Sequence, residues 1–210
     1  MQSGTDDIKN YYSVETRKEK SGKAGVSHIE FGDLLTGLAR NAIARGLGIE
    51  PPRTADPDDF RLAAKGASFV TLTKKGALRG CIGSLEARRP LYLDITENAV
   101  AAAFDDPRFA PVDSEEFDLI RIEVSLLEPP TVLPFVDEAG AMRSLVPGRD
   151  GLILSYGARR ATFLPQVWEV LPDPAEFLRH LKMKAGLPAD FWSGLISLSR
   201  YTVRKFAENT

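Results

Sequence analysis

The chain has 210 residues, 43% of them hydrophobic, with 27 basic residues against 29 acidic ones and a formal charge of -2. That is enough apolar material for one substantial domain or two small lobes, and the near-neutral balance excludes the broad basic footprint of a general nucleic-acid binder. No run approaches the ~20 apolar residues that span a bilayer, and the single cysteine excludes an intramolecular disulfide, so a reducing cytoplasm is the expected setting.

Residues 1–27 are polar and interrupted and read as a flexible tail, with the folded domain expected over 28–208. From Ile29, the residues Phe31, Leu34, Leu35, Leu38, Ala39, Ala42 and Ile43 recur at helical spacing until Gly46 and Gly48 stop them. The proline-rich stretch Gly48 to Asp59 cannot continue that helix and reads as a loop. Ser68 to Thr73 and Ala77 to Ile82 are β-prone runs around Lys74, Lys75 and Gly76, a hairpin signal with glycine where φ > 0 is needed.

After Pro90, Leu91, Ile95, Ala99, Ala102 and Ala103 predict a helix ending before Pro107. A loop with Asp105, Asp106, Pro107, Arg108 and Phe109 follows. Ile120, Ile122, Val124 and Leu126 then alternate with polar residues, as in a half-buried strand stopped by Pro129 and Pro130. A short helix is expected around Asp137 to Leu145, and a second hairpin over Leu152 to Tyr156 and Ala161 to Leu164. The last helix has Asp173 as N-cap, Pro174 at its first position, Glu176 three residues after the cap and Gly186 as its stop. Phe191 and Trp192 read as core anchors, and Ile196 to Phe206 as a terminal strand.

Chemistry is expected at Leu78, Arg79, Gly80, Cys81, Ile82, Gly83. A thiol between two glycines reads as lying on a sharp, exposed turn. Arg79 and Cys81 share a face if the strand stays extended, and a guanidinium beside a thiol favours the thiolate. The competing role for Cys81 is that of a small packed hydrophobe, the commoner fate of an unpaired cysteine. His28 and His180 are the only histidines, one at the end of the tail and one on the last helix, so a Cys–His pair is disfavoured. Cysteine and histidine spacing offers no zinc site, an oxygen-only site from Asp105, Asp106 and Glu116 is unspecific, and no phosphate-binding glycine loop occurs. Asp106 and Arg108 fit either a turn with a local ion pair or a substrate contact. Gln166, polar and just after Pro165, is the residue of its block best placed to face a ligand.

Arg79 to Gly83 resembles the signature of the AMMECR1 domain family. Further collinear matches are Asp106 to Phe109 with Pro111, Ile122 to Leu127, Pro147 and Gly148 with Asp150 and Gly151, Phe163 to Val167, and Lys184 to Gly186 with Trp192. The resemblance implies a compact α+β fold of a larger and a smaller lobe, with mixed or antiparallel sheets flanked by helices and the cysteine motif lining a groove. It implies no particular reaction or cofactor. Bacterial members, the A components of AmmeMemoRadiSam gene sets, are often encoded beside a Memo-like protein and a radical SAM enzyme, which suggests a shared pathway.

Two functions are therefore carried forward. One is an enzyme or enzyme subunit acting on a small or nucleotide-like substrate, with Cys81 as nucleophile or redox group and Arg79, Gly80, Gly83, Asp106, Arg108 and Gln166 at the substrate. The other is a non-catalytic module that binds a peptide or a nucleic-acid end and whose cysteine only packs.

Overall fold

The computed structural model of the chain describes residues 28–52 and 59–208. The tail expected over 1–27 and residues 53–58 of the expected loop lie outside the described residues. In chain order the elements are α1 (His28–Gly46), α2 (Phe60–Ala63), β1 (Lys65–Gly66), β2 (Ser68–Lys74), β3 (Ala77–Gly83), β4 (Arg89–Pro90) and α3 (Leu91–Phe104). There follow β5 (Ile120–Leu127), β6 (Thr131–Val132), α4 (Glu138–Ser144), β7 (Gly151–Tyr156), β8 (Arg159–Phe163), a 3-10 helix (Pro165–Glu169), α5 (Pro174–Lys184), β9 (Ser197–Tyr201) and β10 (Val203–Ala207). This is an α+β fold with antiparallel pairing in its sheets and helices against them. None of the described helices is long and apolar enough to cross a membrane.

The chain divides into two units, Met1–Leu127 with Arg204–Thr210, and Glu128–Val203. In the first, a four-stranded sheet of order β10-β5-β2-β3 carries α3 over β2 and β3 and α1 over β5. The helical spacing read from the sequence forms this interface: Leu35, Leu38, Ala39 and Ile43 of α1 and Ile95, Ala99, Ala102 and Ala103 of α3 are buried in one core with Val70, Leu72, Ile122 and Val124. Alanines on α3 let its backbone come close to the sheet, a point that decides the shape of β3. The β2–β3 hairpin turns through Lys75 at φ 52° and Gly76 at φ 81°, the left-handed pair that a tight hairpin of this twist requires. Arg40, buried in α1, is bound by the Phe117 and Ile120 carbonyls and by Glu208, tying the chain's end to the helix.

The second unit has a sheet of order β6-β9-β7-β8. Its core centres on Phe177, stacked on Trp168 at 3.8 Å between ring centroids. Phe191 and Trp192, expected as anchors, pack at the margin of this cluster and are only partly buried. Asp173 caps α5 as predicted, accepting from the Ala175 and Glu176 amides at 2.8 and 3.0 Å, while the Glu176 side chain turns to Arg179.

One expected element is corrected. The terminal strand foreseen from Ile196 to Phe206 is two strands, β9 pairing with β7 in one sheet and β10 with β5 in the other. Thr202 lies between them. An apolar run with period two is equally compatible with one long strand or two short ones in line, and only the pairing partners separate the cases.

Candidate active site around Cys81

The turn expected at the cysteine is absent: Cys81 lies inside β3, opposite Thr71 of β2, and neither Gly80 nor Gly83 has positive φ. Glycine is needed here for close approach. A Cβ on Gly80 would fall 2.1 Å from the Ala102 carbonyl oxygen of α3, and one on Gly83 would fall 2.2 Å from the Phe69 ring. Gly80 therefore faces the helix, and Cys81, by the alternation of the strand, faces the opposite side of the sheet. There its Sγ is 3.4 Å from the Thr71 hydroxyl, and the residue is half-buried.

Pairing slips by one between Leu72 opposite Gly80 and Thr73 opposite Leu78. Arg79 is thus the extra residue of a β-bulge, the device that re-aims a side chain beside a site. The assumption of regular extension from Arg79 to Cys81 does not hold. Arg79 reaches Glu116 instead, donating from Nη2 to Oε2 at 2.7 Å and from Nε to Oε1 at 3.3 Å. Lys74 joins the same carboxylate at 2.5 Å.

β3 is the edge strand of its sheet, and the Ser84 amide donates to the Ser68 carbonyl at 2.9 Å. Alternation along an antiparallel pair then sends the main-chain groups of Cys81 toward the open edge. Asp106 and Arg108 cover them. The Cys81 N–H donates to Asp106 Oδ2 at 2.9 Å, and Arg108 Nη2 donates to the Cys81 carbonyl at 3.3 Å. Arg108 also grips Asp106 through Nε and Nη2 at 2.9 and 2.6 Å. The local ion pair weighed for these residues is present, and the same fork also clamps the cysteine's backbone.

The electrostatics follow from these bonds. Arg108, and then the Cys81 amide, hold the Asp106 carboxyl far below the ordinary carboxylate range. Arg108 is itself pushed up by the Asp106 carboxylate. Glu116 is lowered from 4.5 to about 2, by Arg79 first and Lys74 second. A depressed carboxyl stabilises the fold fully above its unfolded value and loses that contribution as pH falls through its folded value. Glu116 is accordingly expected to titrate near 2, with its contribution lost between pH 4.5 and about 2. Carboxyl-carbon NMR across that window checks this, and a midpoint above 4 would show that the Arg79–Glu116 fork does not persist in solution.

A second polar cluster pins the far end of β3. Asp94, buried on α3, accepts from the Ser68 amide, Ser68 hydroxyl and Asn98 amide at 2.8, 2.7 and 2.9 Å through one oxygen. Through the other it accepts from Ser84 at 2.6 Å and Arg89 at 3.0 Å. The network was not foreseen, although Asp94 and Asn98 lie at helical spacing among the apolar positions of α3 and are polar where the face demands a hydrophobe.

Of the other predicted residues, Gln166 stands in the second unit, exposed on the 3-10 helix. His180 is also in that unit, on α5, with Nε2 3.8 Å from Glu176. Among the described residues no three His, Cys, Asp or Glu side chains gather as a metal-binding cluster. Asp106 and Glu116 are each committed to an arginine, and Asp105 is exposed.

Fold and site together define an α+β protein in which an edge strand carries one half-buried thiol, with the Asp106–Arg108 fork on that residue's main chain and a second arginine–carboxylate fork formed by Arg79 of the same strand. The AMMECR1 family model matches residues 36–206, and the chain belongs to that family. It is 42% identical over 172 residues to protein MK0488 of Methanopyrus kandleri, covering 78% of this chain and 81% of that one. A protein of Methanothermobacter thermautotrophicus is 42% identical over 187 residues, covering 85% and 94%. Among solved structures, the uncharacterized protein PH0010 of Pyrococcus horikoshii superposes with a TM-score of 0.70 at 37% identity, covering 88% of this chain and 95% of that one.

Proposed function

We propose that this protein is an enzyme, or a subunit of one, that modifies a small or nucleotide-like substrate at Cys81, with the thiol as nucleophile or redox group. The observation that carries the reading is the investment around one half-buried sulfur. Its backbone is clamped on both sides by Asp106 and Arg108, Thr71 stands at 3.4 Å, and a glycine on either side lets the strand sit tight against helix and ring. A cation beside a thiol favours the thiolate, and Arg108, bonded to the Cys81 carbonyl at 3.3 Å, is the candidate for that role in place of a histidine base. A cytoplasmic setting is inferred from the single cysteine, and a pathway shared with Memo-like and radical SAM proteins from the family resemblance.

The test is the rate at which Cys81 reacts with a neutral alkylating reagent at pH 7. A rate above that of free cysteine is expected, and Cys81→Ser is expected to abolish activity in a reconstituted assay. A thiol slower than free cysteine, or a fully active Cys81→Ser protein, would refute the nucleophile role. It would favour the second reading, a binding module, for which the commitment of Arg108 and Asp106 to the main chain of an edge strand speaks.

A further inference from the structure

The two forks are built alike. In each, the arginine gives Nε and Nη2 to its own carboxylate, Glu116 for Arg79 and Asp106 for Arg108. Side-on pairing of this kind leaves Nη1 on the far side of the guanidinium from the carboxylate. Arg79 Nη1 is buried and has no hydrogen-bond partner among the described residues. Buried polar nitrogens in this condition are uncommon, and each calls for an explanation. Arg108, whose side chain is 53% exposed, bonds through its amide, Nε and Nη2, which leaves its Nη1 without a protein partner among the described residues and open to solvent. The two guanidinium groups stand by the same ring, 5.9 Å from the Phe109 centroid for Arg79 and 5.4 Å for Arg108.

Charge narrows what these donors await. With the Cys81 thiol protonated, the two forks together hold three cations, Lys74, Arg79 and Arg108, against two carboxylates, Glu116 and Asp106. One positive charge is left over. A monoanion neutralises it; a dianion leaves the set net negative beside two ionised carboxylates. Two spare N–H groups suit two oxygens, and Phe109 offers an apolar wall to the carbon that bears them.

We infer that Arg79 and Arg108 receive a small carboxylate through their Nη1 groups beside Phe109, bringing the carbon skeleton of a carboxylic acid to the Cys81 thiol. This rests on the reactive-thiol reading and specifies its substrate class.

Iodoacetate and iodoacetamide test it, since they differ only in carboxylate against amide. With either, the thiolate sulfur displaces iodide from the CH2 carbon. A C–S bond forms, the C–I bond breaks, iodide leaves and the thiol proton goes to water. The ratio of the iodoacetate to the iodoacetamide rate at Cys81 is expected to exceed the ratio for free cysteine about tenfold, the worth of one charge-assisted hydrogen bond. Arg79→Lys and Arg108→Lys, which keep the charge and lose Nη1, should return it to the free-cysteine value. Because Arg79→Lys also disturbs the Glu116 fork, a second arm uses the unaltered chain, where propionate should slow iodoacetamide and propionamide should not.

An iodoacetamide-reactive thiol with no preference for iodoacetate and no protection by propionate overturns the carboxylate and leaves the reactive thiol standing. Protection by inorganic phosphate with none by propionate overturns it in favour of a phosphoryl ligand. A thiol inert to both reagents overturns both readings.

Discussion

Gly80→Ala should lower the stability of the first unit by about 3 kcal/mol, at the upper end of what overpacking costs, and its melting temperature by roughly 6–12 °C. The added Cβ would lie 2.1 Å from the Ala102 oxygen and 3.1 Å from its carbonyl carbon. Both are backbone atoms with no rotamer to retreat into. α3 cannot yield, because Ala99, Ala102 and Ala103 are already buried against the sheet. Relief has to come from β3 moving outward, which carries Arg79 and Cys81 with it, so Cys81 alkylation should change alongside stability. Gly83→Ala is the control: its clash is with the Phe69 side chain, which can rotate, and the loss should be smaller. Thermal unfolding of the two variants checks the order, and an unchanged melting temperature for Gly80→Ala would show that helix and strand are not so close.

Asp94→Ala is expected to cost about 3–5 kcal/mol, the range for removing one partner of a buried charged network. Asp94 is 1% exposed, and its loss strands the Ser68 amide and the donors of Asn98 and Ser84 where water cannot replace the carboxylate. Asp94→Asn keeps the shape and one acceptor but places an amide donor where donors already converge, so it should fall between wild type and alanine. Denaturant unfolding gives the magnitude, and hydrogen exchange at the Ser68 amide gives the location. A loss under about 1 kcal/mol, the net worth of a single ordinary hydrogen bond, would mean that the network does not hold β2 and β3 to α3.

Much of the secondary structure could be read directly from local pattern. The amphipathic runs of α1 and α3, the Lys75–Gly76 hairpin and the Asp173 cap of α5 depend on spacing and on residue-specific backbone preference, both local properties. The terminal strand could not be read correctly, because its division between two sheets is a matter of partners. At the site, the cysteine motif and the Asp106–Arg108 segment were legible as candidates, and the structure joins them through the Cys81 main chain. Thr71 and Lys74 carry no local mark, and Glu116 is legible only as one carboxylate of an unspecific oxygen set. Thr71 matters because the β2–β3 register sets it opposite Cys81, a register fixed by which face is buried, and Glu116 because the bulge at Arg79 lets the guanidinium reach it.

The two glycines show where sequence and tertiary structure part. The Arg79–Gly83 motif with the collinear blocks that follow it carried the family resemblance, the resemblance implied the α+β class, and the motif marked the place where a site would be sought. They could not say why glycine is there. A glycine for a turn and a glycine for close approach are the same residue in a sequence, and the difference appears only when the Ala102 carbonyl and the Phe69 ring arrive from elsewhere in the chain. In the same way, an arginine two residues before a cysteine looks like its activator until a bulge turns it toward Glu116. Long-range packing, which no window of residues contains, then leaves its Nη1 as a buried donor without a partner among the described residues.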